Sequence, residues 1–237
     1  MLRTATLALI HYAAEYCAPA WCRSAHTRLI DTPINAALRL VTGCLRSTPT
    51  DNLYALSDIL PSELRRKRAT LSLALRAQEP EHLLHNRLLS HPYGGHRQLK
   101  SRRPFVPAAL KLLDDLNESE TSVTRWADRK WNIEWKNNTS RLHGYITDVS
   151  EPPPGMRLPR LAWIRLNRLR TGIGLFHSTM HRWRMSHTAA CECGAEEQIA
   201  DHILTSCPRY HLLNGIQGLL TMNDSLTSWL TEKFPDI

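Results

Sequence analysis

Thr32-Pro33-Ile34-Asn35-Ala36-Ala37-Leu38-Arg39-Leu40-Val41-Thr42-Gly43 holds both ends of a helix in one line of sequence. Thr32 is a hydroxyl cap. Pro33 suits the first turn, where its missing N–H has no partner to lose, and Gly43 can take the left-handed conformation that stops a helix. Ile34, Ala37, Leu38 and Val41 recur at the three-and-four spacing that places them on one face. This reading decides the fold class, because the same period recurs on both sides of it.

Upstream, the pattern predicts one helix from about Leu2 to Leu29. Downstream, Thr50-Asp51 opens a short helix through Leu56. Pro61-Ser62-Glu63 opens a longer one, with Leu64, Leu71 and Leu75 on its buried side and Arg65, Arg66, Lys67 and Arg68 on the other. A further helix is expected over Glu81–Leu89. Ser90–Pro104 reads as a basic loop turning at Tyr93-Gly94-Gly95. Helices are then expected over Pro107–Leu116 and Ser119–Lys136, the second with Trp131 and Trp135 one turn apart. Pro152-Pro153-Pro154-Gly155 stiffens a linker. Two more helices follow, Arg160–Arg170 and Leu175–Met185, joined through Thr171-Gly172. No strand alternation and no internal repeat stand out. The expected fold is all-α: a helical bundle over 1–90, a basic loop at 91–104, a helical connector at 105–150, arginine-rich helices with a smaller Cys/His segment at 151–210, and a tail at 211–237.

That Cys/His segment contains Cys191, Cys193, His202 and Cys207, in the order Cys-x-Cys-x8-His-x4-Cys. Three thiolates and an imidazole are a full tetrahedral set for zinc. Gly194 helps close the turn that carries the first pair. The second pair lies on Ile199–Leu204, an apolar stretch read as a short helix ending near Pro208. The arrangement is zinc-knuckle-like, and four protein ligands leave no open position, so structural Zn2+ is the expected cofactor.

The chain has 237 residues, 42% of them apolar, with 7 tryptophans, so it can bury a core. Its net charge of +8 favours a polyanionic partner, nucleic acid before membrane. No apolar run approaches the ~20 residues of a membrane span. Met1–Ala20 has some signal-peptide character, but His11 and Glu15 interrupt the apolar region. The remaining cysteines, Cys17, Cys22 and Cys44, are odd in number and lie in helical pattern, which points to reduced thiols inside a cell.

Charge is distributed unevenly. Between Pro152 and Cys191 there is no Asp or Glu, while Arg157, Arg160, Arg165, Arg168, Arg170, Arg182 and Arg184 fall in that stretch with His177, His181, His187, Trp163 and Trp183. Guanidinium groups suit phosphate, and tryptophan can stack on unpaired bases, so these arginines are the candidate nucleic-acid contacts. Trp163, among Leu161, Ile164 and Leu166, reads as core. Thr188–Pro208 has the opposite sign, with Glu192, Glu196, Glu197 and Asp201 and no Lys or Arg. The Cys/His site is therefore expected to brace the fold rather than touch phosphate.

No catalytic residue is assigned. Asp114-Asp115 sits in a helical pattern, not on the hairpin that a two-metal polymerase pair needs. No phosphate-cradling glycine loop, Gly-x-Ser-x-Gly or deaminase signature is found.

Two blocks together resemble a known family. One runs from Ala14-Glu15-Tyr16-Cys17-Ala18-Pro19-Ala20-Trp21 to Ile34–Gly43 and Thr48-Pro49. The other runs from Arg165-Leu166-Asn167-Arg168-Leu169-Arg170-Thr171-Gly172 through His181-Arg182-Trp183 to the Cys/His set with Asp201-His202-Ile203-Leu204. They are similar to the C-terminal portion of LINE-type, non-LTR retrotransposon reverse transcriptases, the first to the helical thumb and the second to the C-terminal Cys/His segment. The likeness is weakest over residues 90–120 and the last 25. It implies a non-catalytic piece of a longer polyprotein, without palm or endonuclease, that grips element RNA, target DNA or a primer–template duplex, with a nuclear location if functional. A domesticated helical module binding a protein partner and a non-functional remnant are the alternatives.

Overall fold

The computed structural model describes residues 2–89, 104–119, 122–210, 212 and 214–233. Every regular element among them is a helix, as the periodicity predicts. The basic loop expected from Ser90 lies, up to Arg103, outside the described residues. Two compact units interleave along the chain: Met1–Ala37 with Leu60–Trp135, and Leu38–Ile59 with Lys136–Ile237.

In the first unit, the helix expected over Leu2–Leu29 is broken. A helical stretch runs to Ala14, Cys17 turns left-handed at φ 51°, and Ala18–Trp21 forms a separate turn. Pro19 explains the break: it has no N–H to give the carbonyl of Glu15, which is taken instead by the N–H of Ala18 at 2.9 Å. Helix α1 then runs Thr27–Thr42, so it starts before Thr32 and carries Pro33 in its interior. Its expected stop holds, with Gly43 at φ 72°.

Helix α2 is Thr50–Ser57, in the second unit, and α3 is Ser62–Arg76, in the first. With α4 (Phe105–Ser119) and α5 (Val123–Lys136), α3 builds a core of Leu71, Ala74, Leu88, Ala109, Leu113 and Trp126. Full burial of each large apolar side chain here is worth roughly 1.5–3 kcal/mol. The basic run on α3 meets acids: Arg66 forks onto Asp31 at 2.6 and 3.2 Å, Arg65 donates to Glu15 at 2.7 Å, and Lys67 pairs with Glu63 at 2.6 Å. Arg66 is consequently buried rather than on a solvated side. Asp115 lies on a helix, as read, and accepts from Trp126 Nε1 at 2.9 Å and Lys130 Nζ at 2.7 Å.

The second unit is organised by α6 (Arg160–Thr171), which buries Ala162, Trp163, Leu166 and Leu169 and ends at Gly172, φ 68°. Helix α7 is His177–Arg182, shorter than the expected Leu175–Met185, and α8 is Ala200–Thr205, one residue on from the apolar stretch Ile199–Leu204. The polar stripe of α6 caps the C-terminal end of α1. Arg160 Nη1 donates to the carbonyl of Val41 at 2.6 Å, and its Nη2 to that of Leu40. Trp163 Nε1 also reaches Val41 at 3.2 Å, Asn167 Nδ2 reaches Thr42 at 2.8 Å, and Arg168 Nε reaches Gly43 at 3.1 Å. The last carbonyls of a helix have no partner within it and form the negative end of its dipole, so cationic donors suit them. Gly43 also permits the approach, since a Cβ there would stand 2.3 Å from Cγ1 of Ile164.

Candidate metal centre

Cys191, Cys193, His202 and Cys207 come together with their ligand atoms all within 4.8 Å of one another. A tetrahedral zinc with sulfur at ~2.3 Å has an S–S edge of about 3.8 Å. Cys191 Sγ and Cys207 Sγ stand 3.8 Å apart, and Cys193 Sγ lies 3.2 Å from His202 Nε2. The donor set fits a metal ion. Ser206 Oγ, 3.1 Å from His202 Nδ1, anchors the other ring nitrogen and leaves Nε2 for the ion.

Local chemistry builds the site from a turn and a helix end. The N–H of Gly194 bonds the carbonyl of Cys191 at 2.9 Å, and the N–H of Cys191 bonds that of Ala195 at 2.9 Å. Gly194 adopts φ 94°, open to glycine and strained for other residues. At the end of α8, the N–H of Cys207 bonds the carbonyl of His202 at 2.9 Å. Cys191 and Cys207 are buried, whereas Cys193 and His202 are half-buried. A bond from the backbone at Ala195 brings the Cys193 thiol down to about 7, while burial pushes Cys191 up to about 11.

The site is bolted to α7 by Gln198, which no sequence motif marks, and by His177, which the sequence marks only as part of the basic stretch. Gln198 is 1% exposed, and its Oε1 accepts from the N–H of His177 at 3.0 Å. Its own N–H bonds the carbonyl of Ala189 at 2.8 Å, and its carbonyl accepts from Ser178 at 3.3 Å. His177 Nδ1 donates to the carbonyl of Ala190 at 2.8 Å. Elsewhere, Asp201 is forked by Arg141 at 2.7 and 2.5 Å, which holds its carboxyl below the usual range. Glu192 receives Tyr210 Oη at 2.6 Å and Arg209 Nε at 3.1 Å. Two of the segment's acids are thus paired, and Glu196 and Glu197 are exposed.

The arginines do not share one surface. Arg165 and Arg170 are buried, at 5% and 0% exposure. Arg165 Nη1 donates to the carbonyls of Leu230 (2.6 Å) and Thr231 (3.2 Å). Arg170 donates to those of Pro154 (2.7 Å) and Leu219 (3.1 Å), with its guanidinium 5.9 Å from the Tyr145 ring centroid. Burial lowers the Arg170 pKa to about 10. These two belong to the fold, which corrects their reading as phosphate contacts. Arg160 and Arg168 cap α1. Arg157, Arg182 and Arg184 are exposed, as are His181, Trp183 and His187.

No protein-family model matches the chain, and no solved structure matches it. It is similar to the putative 115 kDa protein in type-1 retrotransposable element R1DM of Drosophila melanogaster, at 29% identity over 127 residues. That match covers 46% of this chain and 12% of the relative.

Proposed function

We propose that this chain is a non-catalytic, zinc-braced nucleic-acid-binding piece of a retrotransposon polyprotein, corresponding to the thumb and C-terminal segment of its reverse transcriptase. Likeness to a retrotransposable-element protein supports the origin, and the Cys/His quartet supports a structural metal. The observation that carries the binding reading is the run His181–His187, exposed at every residue but the half-buried Ser186. It holds Arg182 and Arg184, lies in a stretch without acids from Pro152 to Ala190, and is joined to the metal hairpin through His177 and Gln198.

In this reading Cys191, Cys193, His202 and Cys207 hold Zn2+, which fixes the 189–198 hairpin against the start of α7. Arg157, Arg182 and Arg184 then meet phosphates of element RNA or target DNA, while Arg160, Arg165, Arg168 and Arg170 keep the platform folded. Binding of zinc-loaded protein to RNA and DNA across a salt series tests this. Affinity is expected to fall linearly in log–log form, with a slope of roughly −0.7 to −0.9 per phosphate contact. Binding that ignores salt, or a protein partner captured in its place, would replace this reading with a protein-interaction module.

A further inference from the structure

Of the 7 tryptophans, Trp126, Trp131, Trp135, Trp163 and Trp229 are buried and Trp21 is half-buried, whereas Trp183 is 42% exposed. The end of α7 presents it. The N–H of Met185 bonds the carbonyl of Met180 at 2.8 Å, and that of Arg184 bonds His181 at 2.9 Å, the paired bonds of a left-handed helix stop. Glycine usually occupies the left-handed position, but here Arg184 does, at φ 60°. A side chain in that conformation is strained, and strain of this kind clusters at functional sites. The turn leaves Trp183 between two exposed arginines, with Met185 67% exposed beside it.

We infer that Trp183 is a stacking platform for an unpaired nucleobase, with Arg182 and Arg184 taking the phosphates on either side. The ligand is then a single-stranded nucleic acid, RNA or DNA. In a duplex both faces of each base are covered by its neighbours, so an indole can stack only on a base that is already free. This inference rests on the nucleic-acid reading above and adds the strand state to it.

The test uses the full zinc-loaded chain and labelled single-stranded RNA, single-stranded DNA and duplex of one sequence, read by fluorescence anisotropy. Trp183→Ala is expected to weaken single-strand binding roughly tenfold and leave duplex binding unchanged. Trp183→Phe should restore most of the loss, since a ring remains. Arg184→Gly relieves the strained turn, so its melting temperature should hold or rise while single-strand affinity falls. A purely structural Trp183 would instead show a lower melting temperature in Trp183→Ala with unchanged affinity per folded molecule, and would overturn the inference. So would equal single-strand and duplex affinities that Trp183→Ala leaves untouched, although the nucleic-acid reading would survive that result. Absence of binding to all three nucleic acids would remove both. A preference for the RNA or the DNA strand, abolished in Trp183→Ala, supports stacking and identifies which strand it serves.

Discussion

His177 Nδ1 donates to the carbonyl of Ala190 at 2.8 Å, tying the first residue of α7 to the residue that precedes Cys191, the first of the candidate metal ligands. Gln198 closes the same junction from the other arm of the hairpin, through the N–H of His177. The hairpin that carries Cys191 and Cys193 and the start of α7 are therefore tied together.

Gln198→Ala should loosen α7 without dismantling the metal site. Losing its buried bond leaves the N–H of His177 unpartnered, at about 1–2 kcal/mol. Zinc stoichiometry should stay at the wild-type level, while amide hydrogen exchange quickens at Met180 and Trp183. Unchanged exchange would mean that the hairpin and helix are independent.

On the proposed zinc-braced reading, removing the metal should act on the second unit. Chelation, or Cys193→Ser, is expected to abolish the helical signal of α7 and α8, because structural zinc contributes roughly 10–16 kcal/mol in small modules. Cobalt substitution should give the absorption of a tetrahedral thiolate site. Identical unfolding curves with and without metal would contradict a bracing role.

Arg170→Met keeps the length of the side chain but orphans the carbonyls of Pro154 and Leu219. A loss of about 2–4 kcal/mol is expected, read from the denaturant midpoint. Arg170→Lys should recover little, since an ammonium cannot fork to two carbonyls and also lie over Tyr145.

Glu15 gives the first unit a pH dependence. Burial alone would raise its pKa, but His11, 4.0 Å away, and Arg65, at 2.7 Å, hold it below the ordinary value of 4.5. A carboxyl depressed by folding stabilises fully above its unfolded pKa, and that stabilisation disappears as pH falls through the folded value. Glu15→Gln should therefore be less stable than wild type at neutral pH by about 1–2 kcal/mol. The gap should close as pH falls from neutral through the folded value, below 4.5, which urea midpoints measured along that pH series would follow.

Much of this architecture was legible before the structure. Gly43 and Gly172 stop helices because their positions need positive φ, and the Cys/His spacing alone assembles the quartet. The chemistry of the arginines was not legible. Arg160 and the carbonyl it caps are 119 residues apart in sequence, so a basic helix face that reads as a phosphate surface is an internal cap. The absence of acids around Arg165 and Arg170 carries two meanings. Among interleaved leucines it fits a buried guanidinium bonded to main-chain oxygens as well as a phosphate surface. Gln198 belongs to no motif, because its role exists only once the hairpin lies against α7.

The most direct test of the account is the salt dependence of nucleic-acid binding by the zinc-loaded chain, compared with an Arg182→Ala, Arg184→Ala variant. The variant's slope should be flatter by roughly 1.4–1.8, with metal content unchanged and a melting temperature that does not fall. An unchanged slope in a folded, metal-loaded variant would contradict it.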